Sequence, residues 1–332
     1  MMNIIVDAMG GDNAPGAIVS GSVAAANKYG VKITLVGDES QIKKHLAGDN
    51  SNIKIVHAKD VITQDDDPIK AVREKTESSL VKGLQMLSDN EGDAFVSAGN
   101  TGALVTGTTL IIKRIKGIRR VALAPIIPAD KCPTILVDGG ANVDCSPEML
   151  QQFALMGNVY AKTVLKAENP RVGLLNIGTE EHKGNEATVQ TYGLLSQMPL
   201  NFIGNVEARE VLNGAADVLV ADGFVGNMLI KSVEGTALYF AKNLKEMLTE
   251  SLMTKICALM LKKGIGNFKK KFDYNEHGGA PVLGARAPVI KAHGSSGEVA
   301  FCNAIRQAIS FCKADAVNLI TDSLHEILEK NT

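Results

Sequence analysis

The residues best equipped for chemistry stand at the ends of short apolar runs, where Gly, Asn and Asp crowd together. Residues 176–185, Asn-Ile-Gly-Thr-Glu-Glu-His-Lys-Gly-Asn, set His182 beside Lys183, an imidazole that can move a proton next to an ammonium that can pair with phosphate. A solvated charged loop is the competing reading of that run. Residues 97–103, Ser-Ala-Gly-Asn-Thr-Gly-Ala, let a ligand approach the backbone and offer Asn100 and Thr101 as donors, with Gly102 opening a helix. Nothing there is a nucleophile without a base, so its chemistry would be oxyanion binding; a tight strand-helix turn would use the same residues. Gly10-Gly11-Asp12-Asn13 has the form of a phosphate-cradling turn. Near the C-terminus, Gly278-Gly279-Ala280-Pro281 and the run from Lys291 to Ser296 make another pair of Gly-rich turns. Arg286, Lys291 and His293 are further anion partners there, with a structural role the alternative for His293.

Five segments carry such tips: residues 3–12, 94–102, 134–142, 172–179 and 218–224. Near-continuous apolar runs of this length suit strands buried on both faces of a parallel sheet. Parallel strands end at one edge, so the tips can converge where open α/β folds bind ligands. Between them the pattern predicts helices over 14–29, 40–47 and 65 to about 87, and strands over 32–36 and 53–57. Asp65-Asp66-Asp67-Pro68 opens the third helix, where acids complement the macrodipole; capping is favoured over a metal site. The alternation runs through Val220 and predicts a three-layer α/β fold with a mostly parallel sheet, residues 1–332 forming a single domain. A long helix over 235–263, broken at Gly264-Ile265-Gly266, makes residues 235–272 a projecting helical and basic element.

Several function classes are disfavoured. The net charge of −1, 4% aromatic residues and absence of Trp argue against nucleic-acid binding. Five cysteines without a Cys-x-x-Cys pair read as reduced thiols of a cytoplasmic protein, with no zinc site. The N-terminus enters a strand by Asn3, so no signal peptide is expected, and no apolar stretch approaches the roughly 18 to 20 residues that span a bilayer. Gly-x-Gly-x-x-Gly, the P-loop and Gly-x-Ser-x-Gly are all absent, which disfavours a dinucleotide enzyme, an ATPase and a serine hydrolase.

Residues 7–12, 97–103, 138–142, 176–184, 222–227 and 293–296, in that order, resemble the motifs of the bacterial phosphate acyltransferases of phospholipid synthesis, the PlsX family. The resemblance spans essentially the whole chain; Ala287 stands where many members carry Gly, a difference that alters at most a turn. It implies a fold related to isocitrate dehydrogenase and phosphotransacetylase, and transfer of an acyl group from acyl-acyl carrier protein to inorganic phosphate. It also implies a homodimer, peripheral membrane association, and hand-over of acyl phosphate to a membrane glycerol-3-phosphate acyltransferase. On the matching motifs, phosphate or acyl-substrate contacts fall at Gly10, Gly11, Asp12, Asn13, Asn100, Thr101, Gly102, Asn142, Asn176, Gly184, Asp222, Asn227 and His293.

Such chemistry needs no metal, cofactor or covalent enzyme intermediate. Phosphate must be held and aimed at the thioester carbonyl, backbone N–H groups can meet the oxyanion, and His182 or Lys183 can protonate the leaving thiol. Asn100, Thr101 and Lys183 are the expected phosphate contacts; Asp7, Asp12 and Asp222 would order loops. Residues 252–272 carry six lysines and no acid. Leu252, Ile256, Leu259, Met260 and Phe268, with Lys255, Lys262 and Lys263, have the composition of an anionic membrane contact. A dimer hairpin packing the same stripe on its twin is equally consistent, and both can hold. The rival functions are an acyltransferase using acyl-CoA, a carrier-binding scaffold and, more remotely, an NAD-dependent dehydrogenase.

Overall fold

Ile4 and Val6 turn to one face of the first strand and Ile5 to the other, and all three are fully buried, so that strand is covered on both sides. The computed structural model describes residues 1–46, 50–130, 132–271 and 278–330, apart from the side chains at 265, 267–271 and 327–330. The side chain of Phe268 and the expected element ends at Ala47 and Phe272 lie outside the described residues.

The strands are β1 (Asn3–Asp7), β2 (Lys32–Gly37), β3 (Ile53–His57), β4 (Ala94–Ser97), β5 (Ala122–Leu123), β6 (Ile126–Ile127), β7 (Thr134–Val137), β8 (Arg171–Asn176), β9 (Asn201–Glu207), β10 (Val218–Val220), β11 (Ala280–Leu283) and β12 (Val289–Lys291). They form a seven-stranded sheet, β3-β2-β1-β4-β12-β11-β5, and a five-stranded sheet, β6-β7-β10-β8-β9. The α/β class and mostly parallel pairing are as expected. The five tips, expected along one edge, are divided between two: those after β1 and β4 belong to the first sheet, those after β7, β8 and β10 to the second.

The helices are α1 (Gly16–Tyr29), α2 (Glu39–His45), α3 (Pro68–Glu74), α4 (Ser79–Ser88), α5 (Thr101–Gly107), α6 (Pro147–Thr163), α7 (Glu186–Ser196), α8 (Gly223–Thr249), α9 (Leu252–Lys271), α10 (Glu298–Lys313) and α11 (Ala316–Lys330). One buried cluster joins Ile4 and Val6 of β1 to Ile135 of β7 and Val218 of β10 through Ile18 of α1, Phe153 and Tyr160 of α6, and Phe301 and Phe311 of α10. Tyr160 meets Phe311 edge-on at 5.4 Å, and its hydroxyl accepts from Gln307 Nε2 at 3.1 Å. These helices are a shared middle layer, and the outer face of each sheet has its own smaller cluster.

Two expected helices differ in their breaks. The helix opened by the Asp run stops at Glu74 and restarts at Ser79. Asp67 caps α3 by accepting from Lys70 N at 2.9 Å, while Asp66 ties the preceding loop to Lys75 Nζ at 2.7 Å, so of the acids Asp67 alone is the cap. In the projecting element the break falls at residues 250–251, and α9 runs through Gly264 and Gly266. Ser251 and Thr254 cap one another reciprocally there, Thr254 N donating to Ser251 Oγ at 3.2 Å and Ser251 N to Thr254 Oγ1 at 3.0 Å. This local bonding outweighs the modest helix cost of glycine.

Candidate active site

Asp7 ends β1 with its carboxylate buried, accepting from Ser79 Oγ at 2.6 Å, Ser97 Oγ at 2.7 Å and Met9 N at 3.2 Å. Burial pushes its pKa up, against the pull of these donors. The break between α3 and α4 puts Ser79 at the start of a helix, where it reaches this carboxylate. A Cβ on Gly10 would lie 2.4 Å from Asp7 Oδ2 and 2.7 Å from Gly99 N, so only glycine lets the first tip lie against the fourth strand's. Asp12 N donates to Gly294 O at 2.8 Å, and Asn13 Nδ2 to Ser295 O at 3.1 Å and Ser296 O at 3.3 Å. The tips after β1, β4 and β12 are thereby stitched together.

Asp138 organises the second sheet's side. Its buried carboxylate accepts from the backbone N–H groups of Leu123, Gly140, Ala141 and Asn142 and from Asn142 Nδ2. Burial again raises its pKa against these donors. Asp222 caps α8, accepting from Val225 N at 2.7 Å. A Cβ on Gly226 would fall 1.9 Å from Asp138 O, so the first turn of α8 packs directly on the tip after β7. This contact sets Asn227, Ile230 and Lys231 over the space between the sheets.

That space is an open cleft of about 550 Å³. Asp12, Thr101, Lys291, His293 and Ser295 line one side, Gly139, Gly140 and the segment Leu123 to Pro128 another, and Asn227, Ile230, Lys231, Val233 and Glu234 of α8 a third. A smaller cavity of about 270 Å³ opens from the same Thr101 and Gly140 toward Pro68, Ile69 and Val105. Lys291 is the unusual group: it is 8% exposed and its ammonium donates to the carbonyls of Ala98, at 3.2 Å, and Ala292. Burial depresses its pKa to about 8, with Asp7 and Asp12 opposing the shift. His293 has its pKa lowered by burial. Ser295 N donates to its Nδ1 at 3.3 Å, so the neutral ring carries its hydrogen on Nε2. Lys231 pairs with Glu234 at 2.7 Å. The arrangement offers an anion a buried ammonium and a hydroxyl, with a neutral imidazole able to donate a hydrogen bond from Nε2.

Of the residues expected from sequence, Asp12, Thr101, Asn227, Lys291 and His293 meet at this cleft. Gly10, Gly11 and Asn13 do not line it; they pack the tip after β1 against those after β4 and β12. Asn100 is committed elsewhere: its Oδ1 accepts from Ala103 N at 3.0 Å and its Nδ2 donates to Thr63 O at 3.1 Å. Gly102 gives room to Pro68, Asn142 serves Asp138, and Asp222 serves as a cap. The loop holding Asn176, His182, Lys183 and Gly184 contributes nothing to the cleft lining. Asn176 Nδ2 closes it onto Lys183 O at 2.9 Å, and Lys183 stands 3.9 Å from Glu180 with its side chain 43% exposed. Arg286 is exposed and donates to Arg114 O. Ile230, Lys231 and the apolar segment after β5 were not among the expected residues; for Ile230 and Lys231 the signal was helical spacing from Asn227, one turn beyond a recognised tip. Among the described residues, no three of His, Cys, Asp and Glu group so as to hold a metal ion.

The chain matches the model of the family described as fatty acid synthesis protein over residues 2–319. It is 51% identical over 333 residues to a phosphate acyltransferase of Bacillus pumilus, covering 100% of this chain and 99% of that one. A phosphate acyltransferase of Thermoanaerobacterium thermosaccharolyticum is 50% identical over 319 residues, 96% of each chain. In fold, the chain is similar to a phosphotransacetylase from Streptococcus pyogenes, with TM-score 0.61, 14% identity, and 96% of this chain and 94% of that one covered. A 4-hydroxythreonine-4-phosphate dehydrogenase from Klebsiella pneumoniae gives TM-score 0.52 at 10% identity, covering 94% and 99%. At such identities the likeness is one of fold alone, and it includes the expected phosphotransacetylase kinship.

Proposed function

The chain belongs to the PlsX family, the phosphate acyltransferases of fatty acid synthesis, and on that premise we propose that it transfers a long-chain acyl group from acyl-acyl carrier protein to inorganic phosphate in the cleft between its two sheets. The observation that carries this reading is Lys291, a buried ammonium facing that cleft beside Thr101 and His293. A buried cation bonded only to neutral carbonyls is costly to keep unless an anion completes its coordination. Phosphate held by Lys291 and Thr101 attacks the thioester carbon with one oxygen. The new C–O bond gives a tetrahedral oxyanion, which the side-chain amide of Asn227, opposite Gly140 in the cleft lining, can meet. Collapse breaks the C–S bond, His293 Nε2–H hydrogen-bonds the departing sulfur, and the proton carried in by the attacking hydrogenphosphate ends on the thiol. Acyl phosphate and free carrier thiol leave, so atoms and charge balance without a covalent enzyme intermediate. The catalytic roles expected for His182 and Lys183 pass to His293 and Lys291 in this scheme.

The test is incorporation of labelled phosphate with palmitoyl-acyl carrier protein, beside palmitoyl-CoA and a blank without enzyme. A hydroxylamine-sensitive labelled lipid from the carrier donor is expected. Label from CoA alone would reassign the donor, and none from either would remove the reaction.

The hairpin of α8 and α9 supports the peripheral part of the reading. Leu252 and Met260 are 80% and 82% exposed, Leu259 and Ile256 70% and 57%, and Lys255, Lys262 and Lys263 stand exposed among them. Exposed apolar surface of this kind calls for a cover. Among the described residues no helix is long and apolar enough to cross a membrane. In the proposal the hairpin rests on an anionic bilayer, where acyl phosphate passes to a membrane glycerol-3-phosphate acyltransferase, while its lower part pairs with a second copy. Leu259→Glu should release the protein from phosphatidylglycerol vesicles while turnover in solution persists; undiminished vesicle binding would confine the stripe to dimer packing.

A further inference from the structure

The cleft has two kinds of lining. Asp12, Thr101, Lys291 and His293 line one side, with the Lys231–Glu234 ion pair of α8 near His293, whereas Pro125, Ile126, Ile127, Ile230 and Val233 supply an apolar lining. The two meet at the tip after β7. A Cβ on Gly139 would lie 2.5 Å from Pro125 Cδ and 3.2 Å from Ile230 Cδ1, so proline and isoleucine close on the same point from opposite walls. Gly140, next along, faces the polar Asn227. Ile230 and Val233 are three apart on one helix, so they present a continuous apolar strip along the cleft. Both are half-buried, as is Ile126 opposite, leaving apolar surface open to a ligand on two facing walls.

We infer that this apolar lining seats the acyl chain of the donor, and that Ile126, Ile230 and Val233 determine which chain lengths are accepted. The inference rests on the proposed acyl-transfer reading of the cleft. A thioester carbon held beside Lys291 and the Gly139-Gly140 turn places its alkyl chain against Pro125 and Ile230, the apolar residues that meet at Gly139. Each methylene that enters this strip is worth about fourfold in transition-state binding. Selectivity should therefore climb with length until the strip is filled and then level off. Bulk added to either wall should move that limit to shorter chains.

The experiment compares kcat/KM for acyl-acyl carrier proteins bearing butyryl, octanoyl, dodecanoyl and palmitoyl chains, at saturating phosphate, in the full-length protein and in Val233→Trp and Ile126→Trp. The two substitutions lie on opposite walls, so misfolding of one leaves the other informative. In each variant the palmitoyl-to-butyryl ratio should fall at least tenfold, with the length optimum shortened. Loss by one common factor at every length would overturn the inference and leave the proposed reaction standing. A shift confined to the carrier-protein KM, equal for all lengths, would make the strip a seat for the donor's arm and would also overturn it. Failure of the unaltered protein to form acyl phosphate from any donor would overturn the reaction itself.

Discussion

Two loops in this protein have nearly the same chemical inventory. The one after β8 carries Gly178, His182, Lys183 and Gly184; the one after β12 carries Lys291, His293, Gly294 and Gly297. In the first, the lysine is 43% exposed beside Glu180 and the histidine is exposed. In the second, the lysine is 8% exposed and its histidine neighbour is desolvated. The difference comes from topology. β12 lies inside its sheet, parallel to β4 with Lys291 opposite Ser97, so its tip is hemmed in by the tips after β1 and β4. β8 is followed by a longer loop that bonds to itself. Residue type proposes a role, and the neighbours on the sheet edge decide whether the group is desolvated enough to perform it.

The strongest way to break this comparison is Lys291→Met, which keeps length and removes charge. Phosphate kcat/KM should fall about 100-fold to 1,000-fold, as when one oxyanion donor is lost, while the fold is retained or stabilised because a buried charge has gone. Loss of the native circular-dichroism transition would instead make the lysine structural. His293→Ala should cost about tenfold to 100-fold in kcat with a smaller change in phosphate KM, the pattern of a hydrogen bond made in the transition state; a loss in KM alone would assign it to binding.

A pH profile sharpens the same point. With the Lys291 pKa near 8, the ammonium is lost as pH rises through that value, so phosphate kcat/KM should drop about tenfold per pH unit above it. For stability the sign is opposite. The folded pKa lies below the usual 10.5, so the unfolded chain binds more protons between pH 8 and 10.5 and the penalty of burial fades across that window. Any stability gained in Lys291→Met should thus be fullest below pH 8 and shrink toward pH 10.5 in urea titrations. The smallest expected effect belongs to the other loop: Lys183→Ala should leave phosphate KM within about threefold. A steep rise in phosphate requirement would return Lys183 to the reaction.

The strands were legible because burial on both faces leaves apolar runs too short for an ordinary helix and bounded by Gly, Asn and Asp tips. Their division between two sheets was not, since β1 and β10 carry the same signature whichever sheet they join. Thr101 and His293 could be read from their tips. Lys291 could be read as an anion partner, but its burial depends on β1, β4 and β12 being neighbours, a long-range fact. The hairpin was visible from composition; its turn was misplaced because two glycines stand out more than the reciprocal bonds of Ser251 and Thr254.

The middle helical layer has a consequence for how the molecule opens. Because α6 and α10 contribute side chains to one cluster touching β1, β7 and β10, neither sheet can shed that layer without exposing the other's inner face. The backbone amides of β1 and β10 should therefore exchange with solvent deuterium through the same rare global opening, with one protection free energy and one denaturant slope.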